Sequence, residues 1–177
     1  MSTTFPATLA TRDSLKLHTR HWPLPGPRAV AVIAHGLGEH AERYAPVAAA
    51  LNAQGLAVVA HDHRGHGRSE GGRGQLRRDD DLLWDLAALI DAARAAYPGL
   101  PLLLIGHSMG GVLAARFAAE LVEPDSLRAP WSRPLNALML SSPALALPLS
   151  PVQKALMATV ARWLPDIAVG NGLQPEW

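Results

Sequence analysis

Cysteine is absent from the sequence, which excludes a disulfide framework and thiolate catalysis and accords with a reducing cytoplasm. No apolar run approaches the roughly 18 residues that a membrane-spanning helix needs. Residues 1–20 also lack the basic start and apolar core of a secretory leader. Charge of one sign is scarce: the formal net charge is +1, and no block of like charge is longer than Asp79-Asp80-Asp81. Overall composition therefore gives no reason to expect nucleic acid or an anionic membrane as partner. A protein of the cytoplasm, without a transmembrane segment, is the expectation. What the chain does have is apolar content, 49% of its 177 residues, enough for one domain with a real core or part of one.

The apolar residues are arranged as alternating short runs and helical stripes. From Leu15 to Trp22 apolar and polar residues alternate, as in a half-exposed strand, and Pro23, Pro25, Gly26 and Pro27 end it. Ala29–Ala34, Leu56–Ala60, Leu102–Ile105 and Asn136–Leu140 are short apolar runs of the kind found in strands buried on both faces of a parallel sheet. Between them, Glu42–Asn52 carries Tyr44, Val47, Ala48 and Leu51 at helical spacing, with Gly55 as its stop. Asp81–Tyr97 places Leu82, Leu83, Leu86, Leu89, Ile90 and Ala93 on one face, with acidic residues at the end where the helix dipole favours them. A third helix runs from Val112 to about Leu121. Strand and helix thus alternate, which predicts an α/β protein with a mostly parallel sheet and helices on both faces. The connection from Glu123 to Pro134, with three prolines and Trp131, is longer than usual and reads as a surface insertion in preference to a small binding feature. Ser150 and Pro151 can start a separate amphipathic helix with Val152, Leu156, Thr159 or Val160, and Trp163 with Leu164 on one side.

The stretch that carries chemistry is Gly106-His107-Ser108-Met109-Gly110-Gly111, between the run ending at Ile105 and the third helix. A serine framed as G-x-S-x-G between strand and helix is the sequence form of a nucleophile elbow. Its turn is so tight that side chains at Gly106 and Gly110 would collide with the neighbouring elements. Ser108 would project its hydroxyl from the carboxyl end of the sheet, and the Met109 N–H would face a developing oxyanion. A glycine-rich turn of this kind could also cradle a phosphate.

Three loops decide between these readings: His35-Gly36-Leu37-Gly38-Glu39-His40, followed by Arg43-Tyr44; Asp62-His63-Arg64-Gly65-His66-Gly67-Arg68-Ser69-Glu70-Gly71; and the elbow itself. With Leu140-Ser141-Ser142-Pro143-Ala144, this ordered set resembles the monoacylglycerol lipase and lysophospholipase branch of the α/β-hydrolase family. The resemblance implies an α/β-hydrolase fold, here reaching the sixth strand (1–146) and the start of a helical lid (147–177), with packing of that last segment on the core as the alternative. It implies Ser108 as nucleophile and the Leu37 and Met109 N–H groups as the oxyanion hole. Glu39 and Arg43 fall where a glycerol head group would sit, with a structural salt bridge as the alternative, and His35 falls where it would support the oxyanion turn. The substrate expected is a lipid ester, with no cofactor, no metal and no nucleic acid. The histidines of the second loop lack standard zinc spacing. A different acyl compound, or a non-catalytic protein that keeps the pocket for a ligand or partner, is the alternative.

One departure bears on mechanism. In the family the triad runs serine, acid, histidine along the chain, whereas all eight histidines here precede Ser108. The resemblance places acid and base beyond Trp177. On that expectation these 177 residues alone are inactive or nearly so, and an apolar sheet edge at Asn136–Leu140 is left open to self-association.

Overall fold

The computed structural model describes residues 5–146 together with Ser150, Pro151 and Ala155. The strands are β1 Thr8–Ala10, β2 Lys16–Trp22, β3 Ala29–Ala34, β4 Leu56–His61, β5 Leu102–His107 and β6 Ala137–Ser141. They form one sheet in the order β1-β2-β4-β3-β5-β6. From β4 to β6 the strands are parallel, and β1 and β2 add an antiparallel flap at one edge. The two central strands, β3 and β4, are buried along nearly their whole length, which is why they read as unbroken apolar runs. β2 alternates instead, with Leu17 and Thr19 buried and Lys16 exposed.

Helices α1 Ala45–Ala53, α2 Asp81–Ala96 and α3 Met109–Ala119 cover the two faces. One core layer packs α2 and α3 on the sheet through Leu86, Leu89, Ile90, Ala114 and Phe117 against Val32, Val59 and Leu104. The other packs Ala41, Ala48 and Tyr44 against Ala31, Ile33, Val58 and Ile105. A fully buried leucine contributes about 1.5–3 kcal/mol, so the α2 stripe is the largest apolar contribution among α1, α2 and α3.

Several expectations need correcting. The helix expected from Glu42 begins at Ala45, because Pro46 in its first turn has no N–H to bond backward, and a 3-10 turn spans Ala41–Tyr44 instead. Val47 faces solvent. The inward line runs Tyr44, Ala48, Leu51, and Val47 lies about 100° around the helix from Ala48. The third helix starts at Met109, three residues earlier than its apolar pattern suggested, and ends in a 3-10 turn, Glu120–Val122. The long connection is not wholly a surface insertion: Trp131 is 4% exposed and packs its ring 5.3 Å from that of Phe117. β1, only three residues long, has too little pattern to be seen in the sequence.

The chain divides into two compact units, Met1–Ala144 and Leu145–Trp177. In the second, Pro151 and Ala155 are helical, and apart from these and Ser150 the expected lid, 147–177, lies outside the described residues. Among the described residues no helix is long and apolar enough to cross a membrane.

Candidate active site

The turn between β5 and α3 is built by two glycines that touch. A Cβ on Gly106 would lie 2.7 Å from the Cβ of Ala114, and one on Gly110 would lie 2.5 Å from the His35 carbonyl oxygen. Neither contact is tolerable, so the chain can pass between strand and helix only as glycine. Ser108 sits at the apex with φ 51° and ψ −116°, a region that costs a residue with a side chain about 1–3 kcal/mol. Three backbone hydrogen bonds hold it there. Its N–H donates to the Ser141 carbonyl at 3.0 Å, and its carbonyl accepts from the Val112 and Ala144 N–H groups, each at 3.2 Å. Met109 is the first residue of α3, so its N–H has no acceptor within the helix and carries the positive end of the helix dipole.

The loop after β3 faces this elbow. A Cβ at Gly36 would lie 3.3 Å from the Ser108 Cβ, which measures how closely the two turns approach. Glu39 reaches back across the loop and accepts the Gly36 N–H at 3.1 Å and the Tyr44 hydroxyl at 2.7 Å, both on Oε2. Burial pushes the Glu39 carboxyl up, but the bonds from Tyr44 and Gly36 outweigh it and leave the group below its ordinary range, hence charged at neutral pH. The Tyr44 phenol moves upward, through burial and through Glu39. Leu37, at the tip, is 49% exposed. Arg43 is more than half exposed, with Nε 4.0 Å from Glu39 Oε1, the outer limit of an ion pair. Glu39 therefore belongs to the frame of the loop, and the largely exposed Arg43 reaches it only at that outer limit.

Beneath both turns lies a buried histidine stack. His35 Nε2 accepts the His63 N–H at 2.9 Å, so its proton is on Nδ1, which meets the Gly36 carbonyl at 2.7 Å. Its ring centroid is 4.1 Å from that of His63, which in turn is 5.0 Å from that of His61. Burial lowers His35 to about 4, His61 to about 3 and His63 well below the ordinary value, so all three are neutral wedges rather than cations. Among the described residues no group of three His, Asp or Glu side chains could hold a metal ion. Asp62 ties the second loop to the first, accepting the Ala41 N–H at 2.7 Å and the Arg68 N–H at 2.9 Å.

The structure thus brings Ser108, Met109, Gly36 and Glu39 to one corner at the carboxyl ends of β3 and β5. It brings no histidine to the Ser108 hydroxyl among the described residues: the adjacent His107 turns its Nδ1 to the Ser141 hydroxyl, 3.1 Å away. Sequence reasoning placed Tyr44 on the apolar stripe and in the motif that follows His40, but missed its bond to Glu39. The acid-lined face of α2 was also missed. There Arg64 is buried between Asp85 (2.6 Å), Asp81 (2.9 Å) and Asp13 (3.2 Å).

A mostly parallel sheet with a strained serine between its fifth strand and the following helix defines the α/β-hydrolases. Within that class the family described as serine aminopeptidase, S33, matches residues 25–177, and the chain belongs to it. The monoacylglycerol lipase of Mycolicibacterium smegmatis is 38% identical over 151 residues, covering 84% of this chain and 50% of the relative. The human monoglyceride lipase is 42% identical over 113 residues, 63% of this chain and 37% of that one. The crystal structure of Paleococcus ferrophilus monoacylglycerol lipase superposes with a TM-score of 0.65 at 32% identity, covering 90% of this chain and 56% of that one. The chain spans about half the length of the curated relatives it matches, as expected for the N-terminal part of a monoacylglycerol lipase-like α/β-hydrolase.

Proposed function

We propose that this chain supplies the nucleophile and oxyanion hole of a serine-dependent carboxylic ester hydrolase acting on monoacylglycerol or lysophospholipid-like esters. The observation that carries the reading is Ser108 held at φ 51° at the sheet's carboxyl end, against the Gly36 turn. Backbone strain at a serine has no structural use by itself, whereas it lifts a hydroxyl clear of the chain for attack. In the complete reaction Ser108 Oγ adds to the ester carbonyl carbon, and its proton passes to a histidine. The Leu37 and Met109 N–H groups receive the oxyanion. The ester C–O bond then breaks, the alcohol leaves with that proton, and water releases the acyl group by the same steps in reverse roles.

Acid and base are assigned to sequence beyond Trp177, since no histidine follows Ser108 within these residues. The segment 147–177 is assigned to the start of a lid over an acyl channel. Arg43, more than half exposed and only distantly paired to Glu39, is the residue offered to a polar head group, with Glu39 holding the loop beside it. The names of the relatives support a lipid ester over a peptide substrate. The reaction needs no cofactor. A second reading, a non-catalytic protein that binds a ligand in the same corner, is favoured only by the missing histidine.

Burst and turnover measurements with p-nitrophenyl butyrate and a monoacylglycerol separate the two. They are made on this chain, on Ser108→Ala, and on the chain extended by its native downstream sequence. Turnover in the extended protein alone, abolished by Ser108→Ala, supports the hydrolase. Absence of Ser108-dependent chemistry in every version overturns it.

A further inference from the structure

The near-zero net charge conceals a local excess. Between Arg64 and Arg78 the sequence holds five arginines against one carboxylate, Glu70. Arg64 is buried and spent on Asp85, Asp81 and Asp13. Arg68, Arg73, Arg77 and Arg78 are all exposed, and Arg77, 74% exposed, comes no nearer than 3.8 Å to Asp13. The acidic residues that follow do little to balance them. Asp80 and Asp81 are engaged by Arg12, at 2.5 and 3.0 Å, which leaves Asp79 exposed. Lys16 adds a further exposed charge beside the loop, held there as its N–H donates to the Glu70 carboxylate and its carbonyl accepts the Glu70 N–H. The four arginines and Lys16 therefore stand against two exposed carboxylates, Glu70 and Asp79.

The position of this excess gives it a use. The loop leaves the carboxyl end of β4, and β4, β3 and β5 are parallel neighbours, so it starts on the rim from which Ser108 projects and runs along that rim away from β5, bringing Arg77 to Asp13 in the turn before β2. At about 4.8 Å between strands the end of β4 lies roughly 10 Å from that of β5. His66 in the loop packs its ring 5.4 Å from that of His35, which joins the loop to the oxyanion turn. Two exposed leucines share this rim: Leu76, 48% exposed, within the cationic run, and Leu37 on the oxyanion turn. Positive charge interspersed with apolar tips suits a lipid head-group layer. The segment 62–80 contains no Phe, Tyr or Trp on which a nucleic-acid base could stack, and its two histidine rings, His63 and His66, pack inward on each other and on His35.

We infer that the loop 64–78 is an electrostatic docking surface for an anionic lipid layer, which presents the Ser108 rim to the membrane. The inference rests on the proposed lipid-ester substrate only for its benefit; the docking is measured without hydrolysis. The test is flotation of the chain with vesicles of phosphatidylcholine alone and of equal parts phosphatidylcholine and phosphatidylglycerol. It compares the unaltered chain, the triple variant Arg73→Gln, Arg77→Gln, Arg78→Gln, the same three positions as lysine, and Arg28→Gln on the opposite rim. Each lost surface charge weakens binding about fivefold, so the glutamine variant binds anionic vesicles about a hundredfold less tightly. The lysine variant and Arg28→Gln bind as the unaltered chain, and binding fades as salt shortens the Debye length to about 3 Å. Far-UV circular dichroism checks that the variants fold alike. Equal binding to neutral and anionic vesicles, or undiminished binding by the glutamine variant, overturns the inference. Hydrolysis of a water-soluble ester by the extended protein reads Ser108 separately, so failure of docking and failure of the proposed reaction are distinguishable.

Discussion

The Tyr44 hydroxyl donates to Glu39 at 2.7 Å on the same carboxylate oxygen that receives the Gly36 N–H at 3.1 Å. A helix-entry side chain thereby sets the backbone of the turn that faces Ser108. Removing the donor leaves a partly buried carboxylate held by the Gly36 N–H, with only the distant Arg43 beside it, and the turn loosens by a fraction of an ångström. Loss of a whole oxyanion donor costs about 10²- to 10³-fold in kcat. Tyr44→Phe, which displaces a donor without deleting it, is expected to lower kcat of the extended protein about tenfold with KM little changed. Steady-state kinetics on p-nitrophenyl butyrate checks this, and an equal loss through KM would place Tyr44 in substrate binding instead.

Gly110 and Gly99 offer a contrast between space and strain. A Cβ at Gly110 meets the His35 carbonyl at 2.5 Å, whereas Gly99, at φ +76°, has nothing within 4 Å of its Cβ. Gly99→Ala pays only the left-handed conformation, about 1 kcal/mol. Gly110→Ala must push strand from helix, and overpacking of that kind costs about 3 kcal/mol or more. Urea unfolding of the two variants should show midpoints ordered in that way.

The elements legible in the sequence are those whose pattern is local. β3, β4 and β5 are apolar at nearly every position, α2 carries a full stripe, and the elbow's glycines announce a turn that no other residue fits. The features that escaped depend on partners far along the chain. Asp81 and Asp85 look like dipole and surface charges, and only the fold brings Arg64 between them. Tyr44 reads as apolar spacing, yet its hydroxyl decides its role. Trp131 sits in a proline-rich connection that looks like surface until Phe117 is placed beneath it.

Arg64 is the most consequential of these hidden partners. Its side chain is 3% exposed and offers bonds to Asp85 on two nitrogens, at 2.6 and 2.8 Å. Arg64→Met strands Asp85 in the core, and breaking a buried pair from one side costs about 3–5 kcal/mol. Arg64→Met with Asp85→Leu removes both charges and is expected to recover much of that loss, while Asp81 keeps Arg12. A double-mutant cycle by chemical unfolding measures the coupling, and additivity of the two substitutions would show that the pair is solvated.

β6 is an edge strand with all five residues exposed, among them Leu138, Met139 and Leu140, the middle one at 50%. An apolar edge with free backbone donors is a template for a second copy of the chain. Concentration-dependent association in sedimentation is the expected behaviour, reduced by Met139→Lys, since edge lysines oppose strand pairing. A chain that stays monomeric at high concentration would show the edge to be inert.

The buried histidine stack makes stability depend on pH. His35 and His61 are held neutral by burial down to about pH 4 and about pH 3, and His63 lower than its ordinary value, whereas all three titrate near 6.5 once unfolded. From about pH 6.5 down to about 4 the unfolded chain therefore binds protons that the folded chain refuses. Where the unfolded state binds more protons, unfolding free energy falls as pH falls, by up to about 1.4 kcal/mol per pH unit for each ring. The stability present above pH 6.5 is thus lost on acidification, well before the carboxylates lose theirs. His61 is the place to test it, because both of its ring nitrogens are buried with no hydrogen-bond partner among the described residues. His61→Leu removes one titrating ring and two unsatisfied polar atoms at little cost in volume, so it should be neutral or stabilising at pH 7 and should flatten the pH dependence by one ring's share. Urea midpoints at pH 7, 6 and 5 for the two proteins check this. Equal slopes would mean that His61 is already protonated or hydrated in the folded state.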